Sequence, residues 1–129
     1  MDLGDVRTGL ALSDPIGVTC RPLEVLEERD RIRLLEKIVD VAKSNDVQTI
    51  VVGLPRPLSG GTNRQVESVL AFVALLGDHP SVHVETWDER FTSRLAEADR
   101  PRWKAQDAVA ACYMLQNYLD ARAMKRGEE

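Results

Sequence analysis

The chain has 129 residues, of which 43% are hydrophobic and 29% charged, a length for one domain with a full core and a mixture ordinary for a globular protein. Its net charge of −4 and pI near 5.2 count against an obligate nucleic-acid packager, which would be basic. They leave room for an enzyme whose clustered acids lower the net charge while basic residues elsewhere meet phosphate. No apolar run approaches the roughly 18 residues of a membrane span and no basic-then-apolar leader is present, so a cytoplasmic protein without a membrane partner is expected.

Asp2-Leu3 reads as the tail of a strand, turning at Gly4-Asp5. Residues 6–13 alternate, with Val6, Thr8, Leu10 and Leu12 on one face. Ser13-Asp14-Pro15-Ile16-Gly17 carries turn chemistry, and a strand over 18–26 completes an antiparallel meander of three. Asp30 can cap a helix to about Ser44, with Ile32, Leu35, Val39 and Ala42 at helical spacing.

The apolar run from Thr49 to Leu54 suits a central strand buried on both faces. Pro55 and Pro57 stop it, and Gly60-Gly61 makes a flexible loop. Thr62 and Gln65 match a capping box that opens a helix to about Leu76. Val82 to Trp87 is the fifth strand, a short helix follows from Thr92, and a last helix covers about 105–123, with Ala108, Ala111, Leu115 and Leu119 inward. The order is three antiparallel strands, then alternating helix and strand: an α/β fold with a mixed five-stranded sheet and helices on both faces. RNase H-like folds have that order.

Cys20 and Cys112 lie far apart in sequence without metal-ligand spacing and read as reduced thiols packed as small apolar residues. Basic residues gather in one stretch, Arg90, Arg94, Arg100, Arg102 and Lys104, either a solvated face or a phosphate-binding one.

The acids carry the chemical reading. Asp2 is on the first strand, which this topology makes central; Asp88 and Glu89 end the fifth strand; Asp107 opens the last helix. Those places can converge at the carboxyl edge of the sheet, where open α/β proteins hold their sites. Carboxylates held there suit Mg²⁺ or Mn²⁺, which prefer oxygen ligands, and two such ions can activate water, neutralise phosphate and stabilise a leaving alkoxide. Each acid alone also has a structural reading: a solvated terminus, a turn acid beside Arg90, a helix-dipole partner. Gly4 and Gly9 would let a phosphate approach Asp2, and Arg7 between them could grip it or simply be exposed on a hairpin. Thr92 and Ser93 cap a helix or meet nucleic acid. Trp87 and Trp103 stack on bases or pack in the core; His83 reads as structural.

Four ordered blocks resemble one family. Asp2-Leu3-Gly4-Asp5-Val6-Arg7-Thr8-Gly9 through Asp14 looks like the opening motif of the YqgF/RuvX family. Val51-Val52-Gly53-Leu54-Pro55, with Gly60-Gly61-Thr62, is similar to its strand-to-loop motif. Asp88-Glu89-Arg90-Phe91-Thr92-Ser93 resembles its signature, and Gln106-Asp107-Ala108-Val109-Ala110-Ala111 its closing helix. The resemblance implies an RNase H-like fold related to Holliday-junction resolvases and a role in maturing the 5′ end of precursor 16S ribosomal RNA. It implies Asp2, Glu89 and Asp107 as catalytic residues and, with Asp88, as metal ligands. Arg90 then orients the acids or contacts phosphate, with Arg7, Thr92, Ser93 and Lys104 as further nucleic-acid contacts.

Two departures stand out. Family members carry several apolar residues ahead of the first-strand acid, whereas only Met1 precedes Asp2, so a misplaced start or a shortened chain is expected, with Asp2 weakly held. The stretch between Thr92 and Asp107 is also shorter than the family pattern. The leading expectation is a metal-dependent nuclease on structured RNA. The alternatives are a Holliday-junction resolvase on branched DNA, acting as a homodimer, and a non-catalytic RNA-binding assembly factor.

Overall fold

A computed structural model of the chain describes residues 1–89 and 105–127. In chain order the described elements are β1 (Arg7–Ser13), β2 (Cys20–Glu27), α1 (Arg31–Ser44), β3 (Thr49–Leu54), α2 (Arg64–Gly77), β4 (His83–Asp88) and α3 (Ala105–Gly127). The fold is mixed α/β, with four strands and three helices among these residues. The short helix expected from Thr92 lies outside them.

β1 and β2 form an antiparallel hairpin from Arg7↔Glu27 to Ser13↔Cys20, with one irregularity between Leu10 and Ala11. The Asp14 carboxylate closes its turn, accepting the backbone N–H of Val18 at 2.8 Å and of Thr19 at 3.3 Å, while Gly17 takes a φ of 72° that favours glycine. β3 and β4 pair in parallel from Thr49↔His83 to Leu54↔Asp88, as a crossover through α2 requires.

The N-terminal residues link these two pairs. Asp2 and Gly9 exchange both backbone hydrogen bonds, at 2.9 and 3.0 Å. On its other side the Met1 amino group donates to the Val51 carbonyl at 2.6 Å, and the Met1 carbonyl accepts from Gly53 N–H at 3.1 Å. The expected first strand is thus reduced, among the described residues, to one bridged pair, Asp2↔Gly9. The order across the molecule is β2, β1, residues 1–3, β3, β4.

Two apolar clusters flank this arrangement. One joins Met1, Leu3, Leu10, Ile50, Val52 and Leu54 to α1 and α2 through Leu34, Ile38, Val39, Val69, Phe72 and Leu76. The other sets Val51 against Met114, Tyr118 and Leu119 of α3, with Cys20 and Trp87 packed beside them. Successive side chains of a strand point to opposite faces, so β3 feeds alternate residues to helices on either side.

Two local expectations need correction. The inner stripe of α1 is Leu34, Ile38, Val39 and Ala42, whereas Ile32 is exposed, since it sits in the first turn beside the cap rather than above the core. The cap of α2 is Asn63, whose side chain accepts from Val66 N–H at 2.9 Å, rather than Thr62; its carbonyl-bearing side chain reaches the helix one residue later. Asp30 caps α1 as expected, accepting from Ile32 and Arg33. Among the described residues no helix is long and apolar enough to cross a membrane.

Candidate active site

Alternation decides which face of the strands each acid lies on. Met1 and Leu3 are buried in the cluster beneath α1 and α2, so Asp2 between them lies on the opposite face, the one α3 covers. Leu10 belongs to the α1/α2 side, which puts Gly9 on the α3 face; Ile50, Val52 and Leu54 do the same for Gly53. Asp2, Gly9 and Gly53 are thus neighbours across three adjacent segments of backbone, all facing α3.

The two glycines mark where the other acids come in. A Cβ built on Gly9 would lie 1.8 Å from the Asp107 carbonyl oxygen and 2.8 Å from the Ala108 nitrogen. The first turn of α3 therefore rests directly on the strand residue bonded to Asp2. A Cβ on Gly53 would lie 2.7 Å from Glu89 Oε1, so the Glu89 side chain folds back across the face that Asp2 shares. Neither glycine has a positive φ; what they supply is space.

Asp88 is placed differently. It pairs with Leu54, one residue past Trp87, whose ring meets Tyr118 of α3 edge-on at 6.0 Å. Its position is thus on the α1/α2 side, and its Oδ2 lies 4.0 Å from Arg56 Nε. Arg56 in turn donates to the Gly61 carbonyl at 2.8 Å, tying the loop after β3 to the end of β4. Arg7 shares the face of Gly9 and is exposed. Arg90, Thr92, Ser93 and Lys104, with Trp103, lie outside the described residues.

Electrostatics concentrate at the same place. The Met1 ammonium is fully enclosed, and burial lowers its pKa to about 6 against the pull of Asp2 and Glu89. Attraction to both carboxylates opposes that shift, so Asp2 and Glu89 place negative field at this end of the strands, though burial outweighs it.

The chain matches the family model described as "RuvX: Holliday junction resolvase" over residues 1–121. It is 38% identical over 129 residues to a Clostridium botulinum protein, covering 94% of each chain. It is 40% identical over 134 residues to one from Desulforudis audaxviator, covering 98% of this chain and 95% of the relative. A Symbiobacterium thermophilum protein is 38% identical over 136 residues, covering 99% and 94%. All three relatives carry the name "Putative pre-16S rRNA nuclease". The chain belongs to the RuvX family.

In this RuvX-family chain the fit to a divalent ion rests on donor type and backbone placement. Asp2, Glu89 and Asp107 offer only oxygen, which suits Mg²⁺ or Mn²⁺, and the missing Cβ at Gly53 leaves a cradle that the Glu89 carboxylate enters. Among the described residues no three His, Cys, Asp or Glu side chains already stand gathered as a metal cluster. Sequence reasoning missed Arg56 and the spatial role of Gly53. The alternation of residues 1–3 carried the first hint of the shared face, but nothing in the sequence pairs Arg56 with Asp88.

Proposed function

We propose that this RuvX-family protein is a hydrolase, a divalent-metal-dependent nuclease that matures the 5′ end of precursor 16S ribosomal RNA. The observation that carries the reading is the shared face: Asp2 bonded to Gly9, Gly9 against Asp107, and Glu89 over Gly53. We read residues 1–129 as one RNase H-like domain of a cytoplasmic protein, with residues 1–3 as what this chain has of the central strand in a five-stranded mixed sheet.

In this reading Asp2, Glu89 and Asp107 hold Mg²⁺ or Mn²⁺, with Asp88 alongside. A bound ion of that kind supplies activation of water and neutralisation of phosphate charge. The chain's own part is positioning. Strand alternation puts Asp2 on the α3 side, and the bare backbone of Gly9 lets α3 bring Asp107 to it. Glu89, on a flexible stem at the end of β4, closes the group from the other side and can accept a proton from water. Arg7, exposed on the same face, meets the RNA backbone; Arg90, Thr92, Ser93 and Lys104 extend that contact.

Asp2→Asn, Glu89→Gln and Asp107→Asn test the reading. Each should keep its unfolding midpoint, lose cleavage of a precursor-rRNA 5′-end substrate by at least about 100-fold, and weaken Mn²⁺ binding in calorimetry. Full activity with unchanged Mn²⁺ affinity in any of them removes that residue from the site.

A second reading, resolution of branched DNA, is favoured by the description of the matching family model. It requires two active sites acting on two strands, hence a homodimer. Cleavage of a four-way DNA junction by a dimeric species, faster than cleavage of the RNA substrate, would favour it.

A further inference from the structure

Cys20 opens β2 and Cys112 lies in the middle of α3, 92 residues later, yet their sulfurs are 2.9 Å apart. Cys20 Sγ also approaches the Cys112 carbonyl oxygen at 3.1 Å. Both thiols are free and half-buried. Cys20 packs against the cluster that joins α3 to the strands. A second tie runs parallel to them one turn on, where Gln116 Nε2 donates to the Val18 carbonyl at 2.8 Å. The sulfurs need to close by less than ~1 Å to reach the ~2.05 Å of a disulfide, and the elements carrying them are already packed together.

We propose that Cys20 and Cys112 form a redox site, oxidised by low-molecular-weight disulfides to an intrachain bond that latches α3 to the β1–β2 hairpin. Access is open, because Cys20 lines a surface hollow of about 760 Å³ with Asp14, Thr19, Arg21, Asn45 and Asp46. One protein thiolate attacks the reagent, expelling a small thiol and leaving a mixed disulfide. The second cysteine sulfur then attacks the protein sulfur of that bond and expels the other small thiol. Two electrons and two protons pass from the pair to the reagent, which leaves as two thiols. Burial and the adjoining Cys112 thiol push the Cys20 thiol up to about 12, so exchange at neutral pH is slow, and the state of the pair follows a sustained redox poise.

The latch acts on the helix that delivers Asp107 to Gly9, and its chemistry stands whether or not the nuclease reading holds. A bond between residues so distant in sequence removes much of the freedom of the unfolded chain. Oxidation should therefore raise the unfolding midpoint by on the order of 10 °C.

The test uses the full chain, reduced, desalted and then equilibrated in oxidised and reduced glutathione of stepped ratio. The expected product is a monomer on a non-reducing gel, lighter by two hydrogen atoms, without titratable thiol after denaturation, and with the raised midpoint. Cys112→Ser and Cys20→Ser should each stop at a single glutathione adduct and show no rise. Glutathione adducts on both cysteines without ring closure, a disulfide-linked dimer, or an oxidised monomer with an unchanged midpoint would each overturn the proposal.

Discussion

Gly9 and Asp107 touch main chain to main chain: a Cβ on the glycine would sit 1.8 Å from the aspartate's carbonyl oxygen. No side chain can intervene there, and no flexible group can yield. The approach of α3 to the strand bonded to Asp2 therefore depends on the absence of one carbon atom, which ties the placement of two acids to one residue that bears no charge.

Gly9→Ala should destabilise the protein by on the order of 3 kcal/mol or more, because relief requires moving the start of α3. Chemical denaturation measures the loss, and calorimetry should show weakened Mn²⁺ binding in whatever remains folded. An alanine variant as stable as the parent would mean that the helix does not rest on this strand.

Gly53→Ala should behave otherwise. The nearest atoms to its new methyl all belong to the Glu89 side chain, 2.7 Å away at Oε1 and 3.2 Å at Cγ, and that side chain can swing aside. Stability should fall by less than ~1.5 kcal/mol, while cleavage drops because Glu89 is displaced from the shared face. Comparing the two variants separates a fault in folding from a fault in the site.

Acid should loosen the α3–β4 contact. The Tyr118 hydroxyl donates to Glu85 and accepts from Arg122 Nη1 at 2.8 Å. The Tyr118 hydrogen bond, helped by His83 and Arg122, holds the Glu85 carboxyl below its usual range. A carboxyl whose folded pKa is depressed contributes stability above its unfolded value of 4.5, lost as pH falls through the folded value. The side chain is 37% exposed, so the contribution is about 1 kcal/mol or less. Glu85→Gln should flatten that part of the stability–pH curve below pH 4.5, read from midpoints at stepped pH; a curve identical to the parent's would dismiss the contact.

Adding a few apolar residues ahead of Met1 should stabilise the fold. The Met1 amino group donates to Val51 at 2.6 Å while buried as a terminus, and burial depresses its pKa from 8.0 to about 6. An amide N–H makes the same bond without a charge, and removing that penalty is worth on the order of 2 kcal/mol at pH below 6. A thermal midpoint that does not rise on extension would show that the terminus costs nothing where it lies.

Much of this was legible in the residues themselves. The apolar run at 49–54, the alternation in β1 and the cap at Asp30 are local signals, and each element formed where its signal lies. Ile32 was misread because helical spacing gives a repeat but not which of two overlapping stripes faces inward; Leu34 and Ile38 are the ones that join the buried cluster with Phe72 and Leu76. Asp88 and Glu89 look equivalent as neighbours in a sequence. One residue of strand parity separates them, sending Asp88 to Arg56 and Glu89 over Gly53.

By itself the sequence determined the elements, their order, the family and the identity of the candidate acids, because hydrogen-bonding periodicity and turn chemistry act over a few residues. Only the tertiary structure decided that Asp107 rests on Gly9, that Glu89 lies over Gly53, and that Cys20 faces Cys112 at 2.9 Å. Such contacts join segments dozens of residues apart, and their geometry is set by how closely helix and strand backbones pack, which no local pattern records.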